Sequence, residues 1–310
     1  MRVLVTGAGG FVGRNLVRAM SGRFEVTAVD ADLSALTQGQ FLRLCEGDLA
    51  DARVRQAALA GGIDGVVHLA AVPGGAAEAY PALSRRVNID ATMHLLDACA
   101  AAGAAPRVVF ASTIAVFGET LPDDGVDDAT PVAPRLIYGA HKAMMETWVA
   151  ALSRRGAIDG MSLRLPGIIA RPAGPSGLKS AFMSDLFHAL KAGRGFTAPV
   201  SPSGTLWLMS VRCCAENLMH ALTMDTAALP PARTLTLPAL RLSMAELVSA
   251  VAAYCGADPS LVAYQPDAAL QAAFAAQPPL ATPLAESCGF RHDGTIERLV
   301  ADACDALAPA

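Results

Sequence analysis

The first twenty residues constrain the fold more than any other stretch of this chain. Met1-Arg2-Val3-Leu4-Val5-Thr6 is a short apolar run of the kind that forms a buried strand. Gly7-Ala8-Gly9-Gly10-Phe11-Val12-Gly13 follows, and then the helix-like Arg14-Asn15-Leu16-Val17-Arg18-Ala19-Met20. Strand, glycine turn and helix, in that order, form the context in which glycines serve a dinucleotide. The spacing is Gly-x-x-Gly-x-x-Gly, at Gly7, Gly10 and Gly13. Val12 holds the place where the Gly-x-Gly-x-x-Gly form has its last glycine. Glycine permits the tight turn and brings backbone N–H groups up to a pyrophosphate, and the helix N-terminus adds partial positive charge. Gly7, Gly10, Phe11 and Val12 are therefore the candidate phosphate-cradling positions.

A second apolar run, Phe24-Glu25-Val26-Thr27-Ala28-Val29, ends at Asp30. A carboxylate at that strand tip accepts hydrogen bonds from the adenosine ribose hydroxyls and repels a ribose phosphate. The next residues are Ala31 and Asp32, with no Arg directly following. The expected cofactor is NAD rather than NADP. Further along, Tyr138-Gly139-Ala140-His141-Lys142 sets a phenol and an ammonium four residues apart, on one helix face. A free Tyr ionises near pH ~10, and a neighbouring cation lowers that value and makes the phenol a usable proton carrier. With 4 Tyr and 3 Lys in 310 residues, this spacing arises by chance with a probability of about 0.04. The glycine turn and Asp30 give the pair its context.

The chain is 53% hydrophobic and 17% charged, enough for one large domain or two coupled ones. Net charge is −4 without a basic block, so no nucleic-acid partner is expected. No uninterrupted apolar run is long enough to span a membrane. The first residues already read as strand, which leaves no stretch to read as a secretory leader. The 7 Cys are scattered without a C-x-x-C pair, and the adjacent Cys213 and Cys214 suit neither a disulfide nor zinc. Reduced thiols, no metal site and a cytoplasmic location are the expectations.

Phe41–Cys45, Val66–Ala71, Arg107–Ala111 and Met161–Leu165 read as strands three to six, with Val87–Ala102 as an amphipathic helix. Such alternation builds an α/β fold with a doubly wound parallel sheet, whose ligands lie at the carboxyl ends of the strands. Asp30, Asp48, Leu69 to Ala71, Ser112, Thr113 and Pro166 all fall at such ends. After Pro166 the pattern loosens into the turn-rich Arg171–Gly177, a helix from Lys179 to Ala192 and a strand from Leu206 to Val211 that reads as a return to the sheet. A helix from Ala215 to Thr223 follows. The expected division is a dinucleotide-binding domain over residues 1–170, with return elements around 205–240, and a smaller interleaved substrate-binding lobe over 171–310.

Together these motifs resemble the extended short-chain dehydrogenase/reductase family in its NAD-dependent epimerase/dehydratase-like form. Thr6 to Gly13 matches its glycine turn, Asp30 its acidic residue, and Asp48-Leu49 its Asp-Leu pair beside the adenine. His68 to Ala71 matches its strand-four His-x-Ala-Ala, and Asn88 its helix Asn. Thr113, three places before Val116-Phe117-Gly118, matches its catalytic Ser/Thr, and Tyr138 and Lys142 its Tyr-x-x-x-Lys. Within the family, the stretch from Tyr138 to Trp207 resembles the branch that contains the D-erythronate dehydrogenases. Its carrying residues include Tyr138–Met144, Ser153–Gly156, Asp159-Gly160, Leu163–Pro166, Arg171-Pro172 and Pro199-Val200. Ser210-x-Arg212 resembles a Ser-Pro-Arg there, with Val211 in place of Pro. The loop Pro175–Ser180 departs from that branch, and it is expected to touch substrate.

The resemblance implies a Rossmann-type, NAD-dependent oxidoreductase of carbohydrate metabolism that oxidises a secondary alcohol of a small hydroxy acid or sugar acid. Tyr138 as phenolate takes the hydroxyl proton, Lys142 holds the nicotinamide ribose and steadies the phenolate, and Thr113 orients the substrate oxygen. Moving a phenol from ~10 to ~7 needs about 4 kcal/mol. Ser112 is expected to face the cofactor, although it and Thr113 have exchangeable roles. Asp48, Leu49, Leu69, Ala70, Ala71, Asn88 and Pro166 complete the expected NAD site. An acid substrate needs a cationic anchor, for which Arg171, Lys179 and Arg212 are the candidates. A homodimer through the helices containing Ala91–Ala102 and Tyr138–Leu152 is also implied. A nucleotide-sugar epimerase or dehydratase shares every cofactor motif but usually carries Asn after strand six, where this chain has Leu165-Pro166-Gly167. A uronate-type sugar-acid dehydrogenase is a closer competitor. A non-enzymatic dinucleotide-sensing regulator on this fold commonly lacks the Tyr, which this chain keeps together with Lys142.

Overall fold

The computed structural model describes residues 1–118, 120–174 and 179–307, and the chain forms two compact units. The first comprises Met1–Val116, Val132–Leu165 and Ala215–Thr236; the second comprises Phe117–Pro131, Pro166–Cys214 and Leu237–Ala310. In the first unit β1 (Arg2–Thr6), β2 (Glu25–Asp30), β3 (Leu42–Glu46), β4 (Gly65–His68), β5 (Arg107–Thr113) and β6 (Asp159–Leu165) alternate with helices. The chain then forms β7 (Gly167–Ile169), β8 (Phe196–Ala198) and β9 (Thr205–Ser210) in the second unit, and β10 (Thr234–Thr236) again in the first.

Among the described residues, the first unit's sheet has seven strands in the order β10-β6-β5-β4-β1-β2-β3, all neighbours parallel. The order runs outward from β1 in both directions. The switch point lies between β1 and β4, whose carboxyl ends, Thr6 and His68, are register partners. Both faces of the sheet are covered, so Leu4, Val66, Val108 and Phe110 are fully buried and the strands read as continuous apolar runs. The helix Ile137–Arg154 packs so closely on β6 that a Cβ on Gly160 would lie 2.7 Å from Val149. Its first turn has no cap of its own, and the Glu78 carboxylate accepts from the Ile137 N–H at 2.6 Å.

The doubly wound parallel sheet is the one expected, with one strand misplaced. Leu206–Val211, expected to return to that sheet, is β9, which pairs parallel with β7 and antiparallel with β11 (Leu240–Ser243). Its Leu206 and Leu208 pack instead with Phe187, Leu247 and Val251 in the second unit's core. The strand that does return, β10, is Thr-Leu-Thr, too short to show a period. Strand four ends at His68, which leaves Leu69–Ala71 as loop. The helix expected over Val87–Ala102 opens with a π-turn, Arg86–Ala91, and continues as α-helix over Thr92–Ala101. Among the described residues no helix is long and apolar enough to cross a membrane.

Candidate active site

β1 delivers the chain to Gly7 at φ +70°. A Cβ on Gly7 would lie 2.6 Å from the Ala70 nitrogen, and one on Gly13 would lie 2.1 Å from the Gly7 carbonyl. These two glycines are demanded by backbone packing. Gly10 differs, because an added Cβ would meet only the Gly7 carbonyl, at 3.2 Å. The helix Phe11–Met20 starts from Gly10 with no side-chain cap and no acidic residue in its first turn. An open glycine edge in front of an uncapped helix N-terminus fits a pyrophosphate. Gly9 carries no signal in the fingerprint spacing, yet it is equally constrained. Its N–H donates to Asp30 Oδ2 at 2.9 Å, and a Cβ would overlap the Asp32 carbonyl at 1.9 Å. Asp30 therefore ties the strand tip to the glycine turn, and its two oxygens retain lone pairs for a ribose diol.

Leu69, Ala70 and Ala71 are half-buried beyond β4. Asn88, buried in the π-turn, accepts from the Val72 N–H at 2.7 Å and donates to the Val72 carbonyl at 2.9 Å and to Ser84 Oγ at 3.1 Å. Its amide holds this loop in shape. Asp48 accepts from the Ala50 N–H at 2.8 Å and pairs with Arg86 at 2.7 Å. The Ala50 bond, with help from Arg86, holds its carboxyl below the usual range. Leu49 beside it is buried.

His68 is fully buried, with its ring between Thr6 Oγ1 at 2.6 Å and Thr92 Oγ1 at 2.9 Å. Burial pushes its pKa down from 6.5 to about 3, and the Lys142 charge acts in the same direction. The ring is a neutral strut. Its folded pKa lies below the unfolded one, so its contribution to stability is present above pH 6.5 and is lost as pH falls toward about 3. The urea midpoint should therefore drop across that window. His68→Asn should start lower and lose less across the same window, since it has no ring to protonate.

A polar cluster lies where β5 meets the helix Ile137–Arg154. Gly139 admits the helix, since a Cβ there would lie 2.5 Å from the Ala115 carbonyl in the turn Ile114–Phe117 that follows Thr113. Tyr138 and Lys142 share a helix face, and Lys142 Nζ lies 5.8 Å from the Tyr138 ring centre and 4.6 Å from that of Phe110. Lys142 is buried and donates to the Ala111 carbonyl at 2.7 Å. Burial pushes its ammonium down to about 7, while the Glu146 charge pulls it up. Thr113 is half-buried at the strand end, and its Oγ1 accepts from the Ala115 N–H at 3.2 Å.

Ser112 precedes Thr113 on β5. It is buried, and its hydroxyl donates to Glu146. Strand alternation turns it to the same face as Phe110, toward the helix. Glu146 in turn accepts from Arg164 Nε at 3.0 Å and Nη2 at 2.8 Å. The sequence motifs do not single out Glu146 or Arg164. The available signal was that Glu146 follows Lys142 by four residues, as Lys142 follows Tyr138, so all three share one face.

Of the remaining candidates, Pro166 opens the second unit and is buried. Arg171 has its backbone pinned, its N–H donating to Ser184 Oγ at 3.0 Å and its carbonyl lying 2.7 Å from His188 Nε2. Arg212 lies 3.3 Å from Asp302. Lys179 is exposed in the turn Lys179–Ala181. Residues 175–178 of the loop expected to touch substrate lie outside the described residues. Trp207 donates to the Pro278 carbonyl at 2.8 Å and belongs to its unit's core. Among the described residues, no group of three or more His, Cys, Asp or Glu is arranged to hold a metal.

A family model described as the NAD dependent epimerase/dehydratase family matches residues 3–208. The D-erythronate dehydrogenase of Cupriavidus necator is 36% identical over 268 residues, which cover 83% of this chain and 82% of that protein. The D-erythronate dehydrogenase of Haemophilus influenzae is 31% identical, over 80% of this chain and 81% of that protein. Among solved structures, a nucleoside-diphosphate-sugar epimerase from Agrobacterium tumefaciens superposes with a TM-score of 0.88 at 29% identity, covering 97% of this chain and 92% of that one.

Proposed function

The chain belongs to the NAD dependent epimerase/dehydratase family, and from that premise we propose that it oxidises a secondary alcohol of a small hydroxy acid or sugar acid resembling D-erythronate. The observation that carries the chemistry is Tyr138 beside a buried Lys142 at the end of the strand that bears Thr113. The substrate class is supported by 36% identity, over most of both chains, to a D-erythronate dehydrogenase.

NAD bound at this site would supply the acceptor for the hydride that leaves the carbinol carbon. Tyr138, ionised, takes the hydroxyl proton, and Thr113 Oγ1 orients the same oxygen. Lys142 holds the nicotinamide ribose and favours the phenolate. Gly7, Gly10, Phe11 and Val12 hold the pyrophosphate, Asp30 the adenosine ribose, and Asp48 and Leu49 the adenine side. Leu69, Ala70 and Ala71 line the cofactor in the shape that Asn88 sets, and Pro166 adjoins it. Ser112, beside Thr113, is read as facing the cofactor, its hydroxyl tied back to Glu146. The second unit is read as the substrate-selecting one, and the protein as a cytoplasmic homodimer of carbohydrate metabolism. A nucleotide-sugar epimerase is the second reading, favoured by the structural likeness to the Agrobacterium tumefaciens protein and opposed by Leu165-Pro166-Gly167 after β6.

A carboxylate anchor makes a kinetic demand that tests the substrate class. The candidates are Arg171, whose backbone is pinned, the exposed Lys179, and Arg212, which lies 3.3 Å from Asp302. Replacing the true anchor with Met should raise KM for the acid about 10- to 150-fold, the loss of one charge-assisted contact. The neutral methyl ester should barely respond. An acid-to-ester preference unchanged in Arg171→Met, Lys179→Met and Arg212→Met alike would discard all three anchors.

A further inference from the structure

Lys142 and Glu146 grip consecutive residues of β5. Lys142 donates to the Ala111 carbonyl at 2.7 Å, and the Ser112 hydroxyl donates to Glu146. Arg164 on β6 is the register partner of Ser112 and closes the ring through its two-pronged pair with Glu146. The two side chains of that pair are only 12% and 7% exposed. A buried ion pair seldom adds stability over apolar residues of the same volume, because both charges must leave water. Its presence here asks for another role. We propose that Glu146, held in place by Arg164, is a positioning residue that keeps Lys142 protonated and fixes the strand end bearing Thr113. The proposal rests on the reading of Tyr138 and Lys142 as the reacting pair.

Among the described residues, the titratable or charged groups set around Lys142 are Tyr138 and Glu146 on its own helix, His68 on β4, and Arg164 on β6, which acts through Glu146. His68 is neutral. Burial alone drives the ammonium toward its neutral form, and a neutral amine stabilises no phenolate. Glu146 supplies the opposing charge. Arg164 orients that carboxylate and cancels part of its field, so removing Arg164 should act in the opposite sense to removing Glu146.

That difference in sign is the test. The chain has 3 Lys, so isotope-labelled lysine lets NMR follow the Lys142 ammonium through a pH titration of the full protein, with no substrate present. Glu146→Gln is isosteric and still hydrogen-bonds Ser112, and it should lower the Lys142 midpoint by about one pH unit or more. Arg164→Met should raise it. The basic limb of kcat/KM should move in the same direction as the midpoint in each variant. The double variant Glu146→Leu with Arg164→Met removes both charges at once, guards against a single variant that does not fold, and should also lower the midpoint. A Lys142 midpoint within a few tenths of a unit of wild type in either Glu146→Gln or the double variant would overturn the proposal. An active enzyme with an unmoved midpoint would sink this inference alone. A moved midpoint with no turnover of any hydroxy acid would sink the proposed function and leave the charge control standing.

Discussion

Tyr138→Phe is expected to cut turnover by about 10²–10⁴-fold, the range for loss of a positioned general acid or base. NAD affinity should change by less than about threefold, because only the proton-carrying oxygen is lost and the ring beside Lys142 stays. Lys142→Met should damage both turnover and binding. It removes the cation that favours the phenolate and also leaves the Ala111 carbonyl without its 2.7 Å donor. If Tyr138→Phe kept more than about a tenth of wild-type turnover, a loss under ~1.4 kcal/mol, the proton-transfer role would be wrong.

Asp30→Ala should shrink the preference for NAD over NADP from both sides. It removes an acceptor from the ribose diol and removes the charge that repels a ribose phosphate. kcat/KM with NAD should fall about 10- to 150-fold, as for other lost charge-assisted bonds, while kcat/KM with NADP changes far less. The structure adds a second consequence. Asp30 also accepts the Gly9 N–H at 2.9 Å, so Ala should loosen the glycine turn and weaken both cofactors somewhat. Asp30→Asn separates the two effects, since its oxygen still receives the Gly9 N–H while the repelling charge is gone. Comparable kcat/KM for NAD and NADP in the wild type would end the cofactor assignment.

The sheet is legible in the sequence because strands covered on both faces leave apolar runs that need no alternation, as in Val66-Val67 and Val108-Val109-Phe110. The glycine turn is legible because Gly7 and Gly13 answer to steric demands one residue wide. What escapes the sequence depends on contacts between distant segments. β10 has three residues and no period of its own. Ser112 turns inward because a helix thirty residues on presents Glu146 to it, and only the β5–β6 register sets Arg164 beside that pair. Gly139 reads as a spacer in Tyr-x-x-x-Lys, whereas its missing side chain is what admits the helix to the Ala115 carbonyl. Asn88 is visible as a motif position, but its hold on Val72 needs the π-turn.

The most direct test of the central claim is NADH formation by the purified full-length protein with NAD and a panel of four- to six-carbon sugar acids, D-erythronate among them, together with aliphatic and aromatic hydroxy acids. The account predicts NADH production from at least one free acid, cut about 10²–10⁴-fold in Tyr138→Phe and absent with UDP-sugars. A panel silent throughout, with a UDP-sugar epimerised by the same preparation, would contradict it and install the epimerase reading in its place.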